Sequence, residues 1–225
     1  MQPTEYEVIL QETFPFWGQL SKEQKELMIK NTMTVQYPKG EQLHRGSLDC
    51  IGVLLVQSGQ FRTYLLSEDG KDITLYRLSK GEVCLLTASC ILKEITFDVF
   101  VDAEEDSTAL LVPAAVFRQV TQQNIHAQVF EYQLLTTRFS DVMWAMQQIL
   151  FMSFDKRLAI FLIDELAKTG GDTVRLTHEQ IAKYMGSARE VVTRMLKYFA
   201  NEGIVTLSRG AVTVTDREKL RKLTN

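Results

Sequence analysis

The 225-residue chain has few cysteines and no long apolar run, and its first residues do not predict a secretory leader. Its three cysteines, Cys50, Cys84 and Cys90, are odd in number and lack the spacing of a disulfide framework, which is typical of a reducing compartment. No run of about 18 apolar residues occurs, so no membrane span is predicted. The acidic start, MQPTEYEVILQETF, lacks the basic and apolar blocks of a signal peptide. These absences predict a cytoplasmic protein.

The motifs of the common enzyme classes are also missing. The sequence has no nucleophile elbow, phosphate-binding loop, dinucleotide fingerprint or metal-ligand spacing. His178, the histidine nearest to a motif, is expected in the first turn of a helix, facing solvent. We therefore expect no catalytic residue, no bound metal and no enzyme activity.

Glycine is unevenly distributed and divides the chain into regions. Gly59, Gly70 and Gly81 recur every 11 residues between apolar or alternating runs such as IGVLLV (51–56) and ITLYRL (73–78). Such regular turns predict an antiparallel, jelly-roll-like β-roll over residues 31–112, after a helical start from Glu5 to Ile29. Residues 82–169 then contain no glycine.

A heptad-like apolar pattern begins at Asn124 and predicts a long helix to Leu150 that forms a coiled-coil seam with a second copy. A neighbouring stripe, Leu135, Val142 and Ile149, is expected to dock on the chain's own sheet. The alternative is a helix buried within one chain. The seam residues are Ile125, Val129, Tyr132, Thr136, Phe139, Met143, Met146 and Leu150.

The segment from Thr177 to Lys197 predicts a helix-turn-helix. Thr177 and Gln180 form a capping-box pattern, Gly186 supplies a tight turn, and Ser187 is expected to cap the second helix. Before it, we predict a helix over 156–167, following a bend at FMSFD (151–155), and a strand over 174–176. After it, IVTLS (204–208) and AVTVT (211–215) flank Arg209-Gly210 and predict the wing of a winged helix, followed by a short helix capped by Asp216.

Charge is distributed unequally between these regions. Residues 153–225 contain 13 Lys and Arg against 9 Asp and Glu, whereas residues 1–152 contain 12 against 19. The basic C-terminal part suits a polyanionic partner. The sequence thus predicts an α+β protein with a sensor roll (1–112), a dimerisation helix (113–152) and a DNA-binding domain (153–225).

In order and size, these segments resemble the Crp/Fnr family of bacterial transcription regulators, most closely over 187–205 and 56–83. The resemblance implies that Glu190 and Arg194 read bases, that Arg189 reads a base or holds a phosphate, and that Thr193 tunes the outer bases. Arginine matches guanine O6 and N7, and a carboxylate accepts from cytosine N4. Glu190 as a capping partner of Ser187 and Arg194 as a surface ion-pair partner are the alternatives. Phosphate contacts are expected from Thr177, Ser187, Lys197 and Arg209.

The signal sensed by the roll is not identified by the sequence. Cyclic-nucleotide-binding relatives resemble one another in a Gly-Glu turn followed by an Arg-Ser or Arg-Thr pair. Here Gly81 and Glu82 match the turn, but Phe97 and Asp98 occupy the positions of the Arg-Ser or Arg-Thr pair. Lys93 is the cation nearest to those positions in the sequence. A carboxylate repels a cyclic phosphate, so a cyclic nucleotide is not expected.

Other sensing chemistries have weaker signals. An oxygen-sensing iron–sulfur cluster requires four cysteines, more than the chain has. Haem requires an axial ligand, and His44 and His126 are the candidate residues, yet such isolated histidines are usually packed or solvated. Cys84 and Cys90 could form a redox pair if their thiolates are stabilised, although free cysteines are commonly buried hydrophobes.

The sequence therefore predicts a homodimer that binds a palindromic site on double-stranded DNA. A signal at the roll would reach the DNA-binding domain through the long helix and the bend at 151–155. RNA polymerase and a small effector are further expected partners. A constitutive DNA-binding dimer, a cysteine redox sensor and a cyclic-nucleotide-controlled regulatory subunit without a DNA role are the alternatives.

Overall fold

The computed structural model describes residues 3–45, 51–70, 72–85 and 98–224. By their internal contacts, the residues form two compact units. The first comprises residues 1–70 and 75–142, and the second comprises residues 71–74 and 143–225. Within the described ranges, none of the helices combines the length and apolar character that a bilayer crossing requires.

The first unit begins with two helices, α1 (Pro3–Thr13) and α2 (Lys22–Asn31), where the sequence predicted one helical start. The chain breaks between them because Phe14, Phe16 and Trp17 are all buried in the core, which a single straight helix could not achieve. A short 3₁₀ turn carries Trp17, and Ser21 then starts α2 with a capping box.

The roll consists of two antiparallel sheets, with strand orders β1–β8–β3–β6 and β2–β7–β4–β5. The strands are β1 (Met33–Tyr37), β2 (Gln42–Arg45), β3 (Gly52–Ser58), β4 (Phe61–Leu66), β5 (Asp72–Leu78), β6 (Val83–Cys84), β7 (Phe100–Ala103) and β8 (Ser107–Pro113). The predicted β-roll is confirmed.

The apolar run of β3 is continuous because both of its faces are covered. Val53 and Leu55 belong to the core under the helices, whereas Leu54 and Val56 belong to the core between the sheets. Gly59 makes the turn after β3 with φ +81°, and a Cβ there would collide with Ser107.

Two helices follow the roll, α3 (Ala114–Gln123) and the long α4 (Ile125–Phe151), which passes from the first unit into the second. The predicted long helix thus forms and ends at the predicted bend. Ala127 and Glu131 are its buried residues, and Leu134 and Leu135 pack against the core of the first unit. Leu135 therefore docks as the second stripe predicts, whereas Ile149 of the same stripe is 41% exposed and the expectation is wrong for it.

The second unit is built on one core that joins helices and a small sheet of order β10–β11–β9. Gly170, at φ +72°, ends α5, and the predicted wing is present. The elements are α5 (Phe154–Thr169), β9 (Thr173–Val174), α6 (His178–Met185), α7 (Arg189–Asn201), β10 (Val205–Ser208), β11 (Ala211–Val214) and α8 (Arg217–Lys222). Asp216 caps α8 as predicted, its carboxylate accepting from the Lys219 amide at 2.9 Å.

Candidate DNA-binding surface

Helix α6 begins and ends as its sequence predicts. The Thr177 hydroxyl accepts from the Gln180 amide at 3.2 Å, and the Gln180 side chain accepts from the Thr177 amide at 2.8 Å. At the other end Gly186 has φ +58°, a left-handed conformation that glycine adopts without strain. The following amide, Ser187 N, bonds to the Ala182 carbonyl at 2.9 Å and closes the turn.

The start of α7 differs from the prediction. Ala188, not Ser187, is the N-cap residue, and no side chain caps this helix. Ser187 lies one residue too early because its amide is used to close α6. Glu190 is consequently the second helical residue, whereas a capping box needs its glutamate at the third. The expected cap by Ser187 is wrong, and the geometry does not suit Glu190 as its capping partner.

Helix α7 presents two different faces. Val192, Leu196 and Phe199 are buried in the core that α7 shares with α6. The opposite face is an open surface, which we call the reading face. It is lined by Arg189, Glu190, Thr193, Arg194, Lys197, Tyr198 and Asn201.

The structure therefore brings the four predicted base-reading residues onto one surface. Three cations and a single carboxylate line it, so its charge suits DNA. Tyr198, which is 52% exposed, and Asn201 extend the surface and were missed by the sequence analysis. They continue the outer face of α7 at helical spacing from Arg194, and that spacing is the signal that could have found them.

The reading face also contacts α6 through a side-chain pair. His178 Nδ1 lies 3.0 Å from Thr193 Oγ1, and both residues are half-buried, so His178 does not simply face solvent as expected. Burial lowers the pKa of His178 below its ordinary value of 6.5, and the positive charges of Arg189 and Lys197 lower it further. The imidazole is therefore neutral at neutral pH.

The four predicted phosphate contacts lie in different settings. Lys197 is exposed on the reading face, and Arg209 is exposed at the tip of the wing, between β10 and β11. Thr177 is exposed at the start of α6, although its hydroxyl also contacts Gln180. Ser187 is half-buried in the turn. Lys197 and Arg209 thus present their charges most openly.

Comparisons with known proteins identify this architecture. The Cyclic nucleotide-binding domain model matches residues 34–124, and the Crp-like helix-turn-helix domain model matches residues 156–223. A crystal structure of a Crp/Fnr-family transcriptional regulator from Eubacterium rectale is 45% identical, with a TM-score of 0.89 over 94% of this chain and 98% of that chain. The chain belongs to the Crp/Fnr family.

More distant relatives agree with this assignment. The Cyclic AMP receptor protein of Thermus thermophilus is 26% identical over 220 residues, 93% of this chain and 96% of that protein. The Anaerobic regulatory protein of Bacillus subtilis is 25% identical over 90% of this chain and 88% of its own length. The predicted Crp/Fnr transcription regulator with a helix-turn-helix DNA-binding domain is confirmed.

In this Crp/Fnr regulator the predicted seam residues of α4 are all exposed. The exposed fraction is 67% for Phe139, 64% for Leu150 and 63% for Ile125. Val129, Tyr132, Thr136, Met143 and Met146 lie on the same exposed face. Trp144 and Phe151 are further exposed apolar residues of α4 that the sequence analysis did not select. The described residues of the chain do not cover the seam, contrary to the alternative of a helix buried within one chain.

The retained Glu82 of this Crp/Fnr regulator connects the roll to α4. Its carboxylate accepts from the Ser79 amide at 2.8 Å and lies 3.5 Å from Arg138 Nη2. Arg138 also pairs with Asp141 at 3.0 Å, and its guanidinium lies 4.6 Å from the centre of the Tyr76 ring. Burial alone would lower the pKa of Arg138, but the Tyr76 phenol and the two carboxylates raise it. The sequence pattern did not predict this cluster.

The remaining candidate sensor residues lie apart from one another or outside the described residues. Cys84 is 1% exposed and packs in the core between the sheets, the environment of a small buried hydrophobe. His44 is buried on β2, and His126 is exposed at the start of α4. Asp98 is exposed, whereas Cys50, Cys90, Lys93 and Phe97 lie outside the described residues.

Proposed function

We propose that this Crp/Fnr regulator acts as a homodimer on an inverted-repeat DNA site. The exposed apolar seam of α4 carries the proposal. A contiguous apolar face of this length is unusual on a monomer and is the pattern by which parallel helices pair. Pairing two identical helices gives a two-fold axis, and such a dimer matches a DNA site with the same symmetry.

The reading face supplies the second half of the proposal. In a dimer, each α7 would enter one major groove, with Arg189, Glu190, Thr193 and Arg194 against base edges. Lys197 and the wing residue Arg209 would contact phosphates on either side. The two α7 helices would then stand one DNA turn apart, about 34 Å.

Regulation by a signal at the roll completes the proposal. Glu82 and Arg138 join the roll to the helix that carries the seam, so a change in the roll can alter how two α4 helices pair. Such a change would set the spacing of the two α7 helices. A constitutive dimer is the competing hypothesis, and it predicts the same DNA affinity under every condition.

The test is a selection of bound sequences from a random duplex pool with the full chain. The proposal predicts enrichment of inverted repeats whose half-sites are centred about 10 base pairs apart. A duplex with one half-site scrambled serves as the matched control and should bind more weakly. Repeating the selection with oxidant, cyclic AMP or cyclic GMP distinguishes a regulated dimer from a constitutive one. A pool without inverted repeats under all conditions would contradict the proposal.

A further inference from the structure

The bond between His178 and Thr193 joins the first turn of α6 to the reading face of α7. Its length, 3.0 Å, is that of a normal hydrogen bond, and the two residues are 15 positions apart in sequence. Thr193 lies among the residues that line the reading face, whereas His178 is absent from that set. His178 is therefore placed to act on DNA recognition through Thr193.

The bond to His178 restricts the rotamer of the Thr193 side chain. Its χ1 angle divides between two rotamers, because the hydroxyl can also bond to a carbonyl one turn earlier in the helix. A partner at Oγ1 selects one of them. The Thr193 hydroxyl is bonded to His178, so the γ-methyl is the remaining side-chain group for contact with bases.

The charged groups around His178 keep it suitable for this role. Arg189 and Lys197 face it from α7, and they disfavour its protonation. Glu179, the next residue on α6, is 72% exposed and lies 4.0 Å from Arg189. Neutral imidazole has one nitrogen that donates and one that accepts, so it can match either orientation of a hydroxyl.

We propose that His178 is a positioning residue that directs the Thr193 γ-methyl toward the major groove and thereby favours a thymine at one position of each half-site. A methyl group makes apolar contact with the thymine C5-methyl, which no other base carries. This inference rests on the proposed function, because it requires that α7 reads DNA.

The experiment measures base preference at each position of the selected site for the full chain and for four variants. Thr193→Ser removes the methyl and keeps the hydroxyl, and the position whose preference it changes is the one that Thr193 reads. We expect it to lower the thymine preference about three- to fivefold per half-site, the effect of one buried methyl group. Thr193→Val keeps a methyl without the hydroxyl and should retain the preference.

His178→Ala should lower the preference at the same position and leave the other positions unchanged. In the Thr193→Val background, the same histidine substitution should have no effect on preference, because valine offers no hydroxyl to hold. A merely structural role of His178 would instead weaken all positions together. Far-UV circular dichroism confirms that each variant is folded.

Several results would overturn the inference. One is that Thr193→Ser leaves the base preference unchanged at every position. Another is that Thr193→Val abolishes the thymine preference. A His178→Ala variant with the wild-type preference, or with a uniform loss at all positions, would overturn it as well. A wild-type chain without base preference at any position would overturn the proposed function and this inference with it, whereas the other results leave the proposed function intact.

Discussion

Replacing Phe139 and Met146 together by lysine should convert the proposed dimer to a monomer. Both side chains lie on the exposed seam of α4, with exposed fractions of 67% and 47%. Full burial of such a side chain stabilises by about 1.5–3 kcal/mol, so the exposed parts offer about 1–2 kcal/mol for Phe139 and about 0.7–1.4 kcal/mol for Met146. A dimer contains each residue twice.

The loss per dimer is therefore about 3.5–7 kcal/mol, which weakens dimerisation at least about 300-fold at 1.4 kcal/mol per factor of ten. Four lysines near a two-fold axis add like-charge repulsion to this loss. Sedimentation velocity over a concentration series measures the change, and affinity for the selected inverted repeat should fall with it.

Thr137→Lys is the matched control for this perturbation. Thr137 is exposed on the same helix, yet it lies about 130° around the axis from the seam at 3.6 residues per turn. The Thr137→Lys substitution introduces the same charged group and should leave both dimerisation and DNA affinity near wild type. A double seam variant that sediments and binds DNA like the wild type would refute the assignment of the seam.

Two further predictions concern DNA contacts and stability. Arg194→Ala should reduce base preference by about 1–3 kcal/mol per half-site. Lys197→Ala should instead weaken binding to all DNA sequences equally and lower the slope of log affinity against log salt concentration by about 0.9 per lost phosphate contact. Competition binding over a salt series measures both effects, and two variants that behaved alike would contradict the assignment. Burial raises the pKa of Glu131 above 4.5, against the opposing effect of the Thr121 hydroxyl, so ionisation of this carboxyl destabilises the folded state above its folded pKa. Glu131→Gln should therefore raise Tm at pH 7, with the difference lost as the pH falls below the ordinary glutamate pKa of 4.5, and calorimetry showing the same shift at both pH values would exclude this cause.

Sequence patterns predicted the elements whose causes are local. The 11-residue spacing of glycines located the turns of the roll, and the heptad pattern located α4 within a residue or two at each end. The capping box at Thr177 and the glycine turn at Gly186 formed as predicted, because each depends on neighbouring residues in the chain. The helical period is consistent with Arg189, Glu190, Thr193 and Arg194 sharing the outer face of α7, whereas their selection as base-reading residues came from the family resemblance.

Contacts between distant residues could not be predicted in this way. Ser187 matched a capping pattern, but its amide donates to the Ala182 carbonyl at the end of α6, and the N-cap residue of α7 is Ala188. The break between α1 and α2 depends on a shared aromatic core, and the pairing of Glu82 with Arg138 spans 56 positions. None of these has a signal within a short window of sequence.

The amino-acid sequence by itself determined the order of the elements, the composition of their faces and the family to which the chain is similar. These depend on periodicity, turn residues and caps, which act over a few residues. Only the tertiary structure decided which side chains meet across elements, including the histidine beside Thr193 and the half-buried arginine beside Glu82. These contacts depend on how the faces of helices and strands pack against one another, because burial and hydrogen-bond geometry are determined by the tertiary structure.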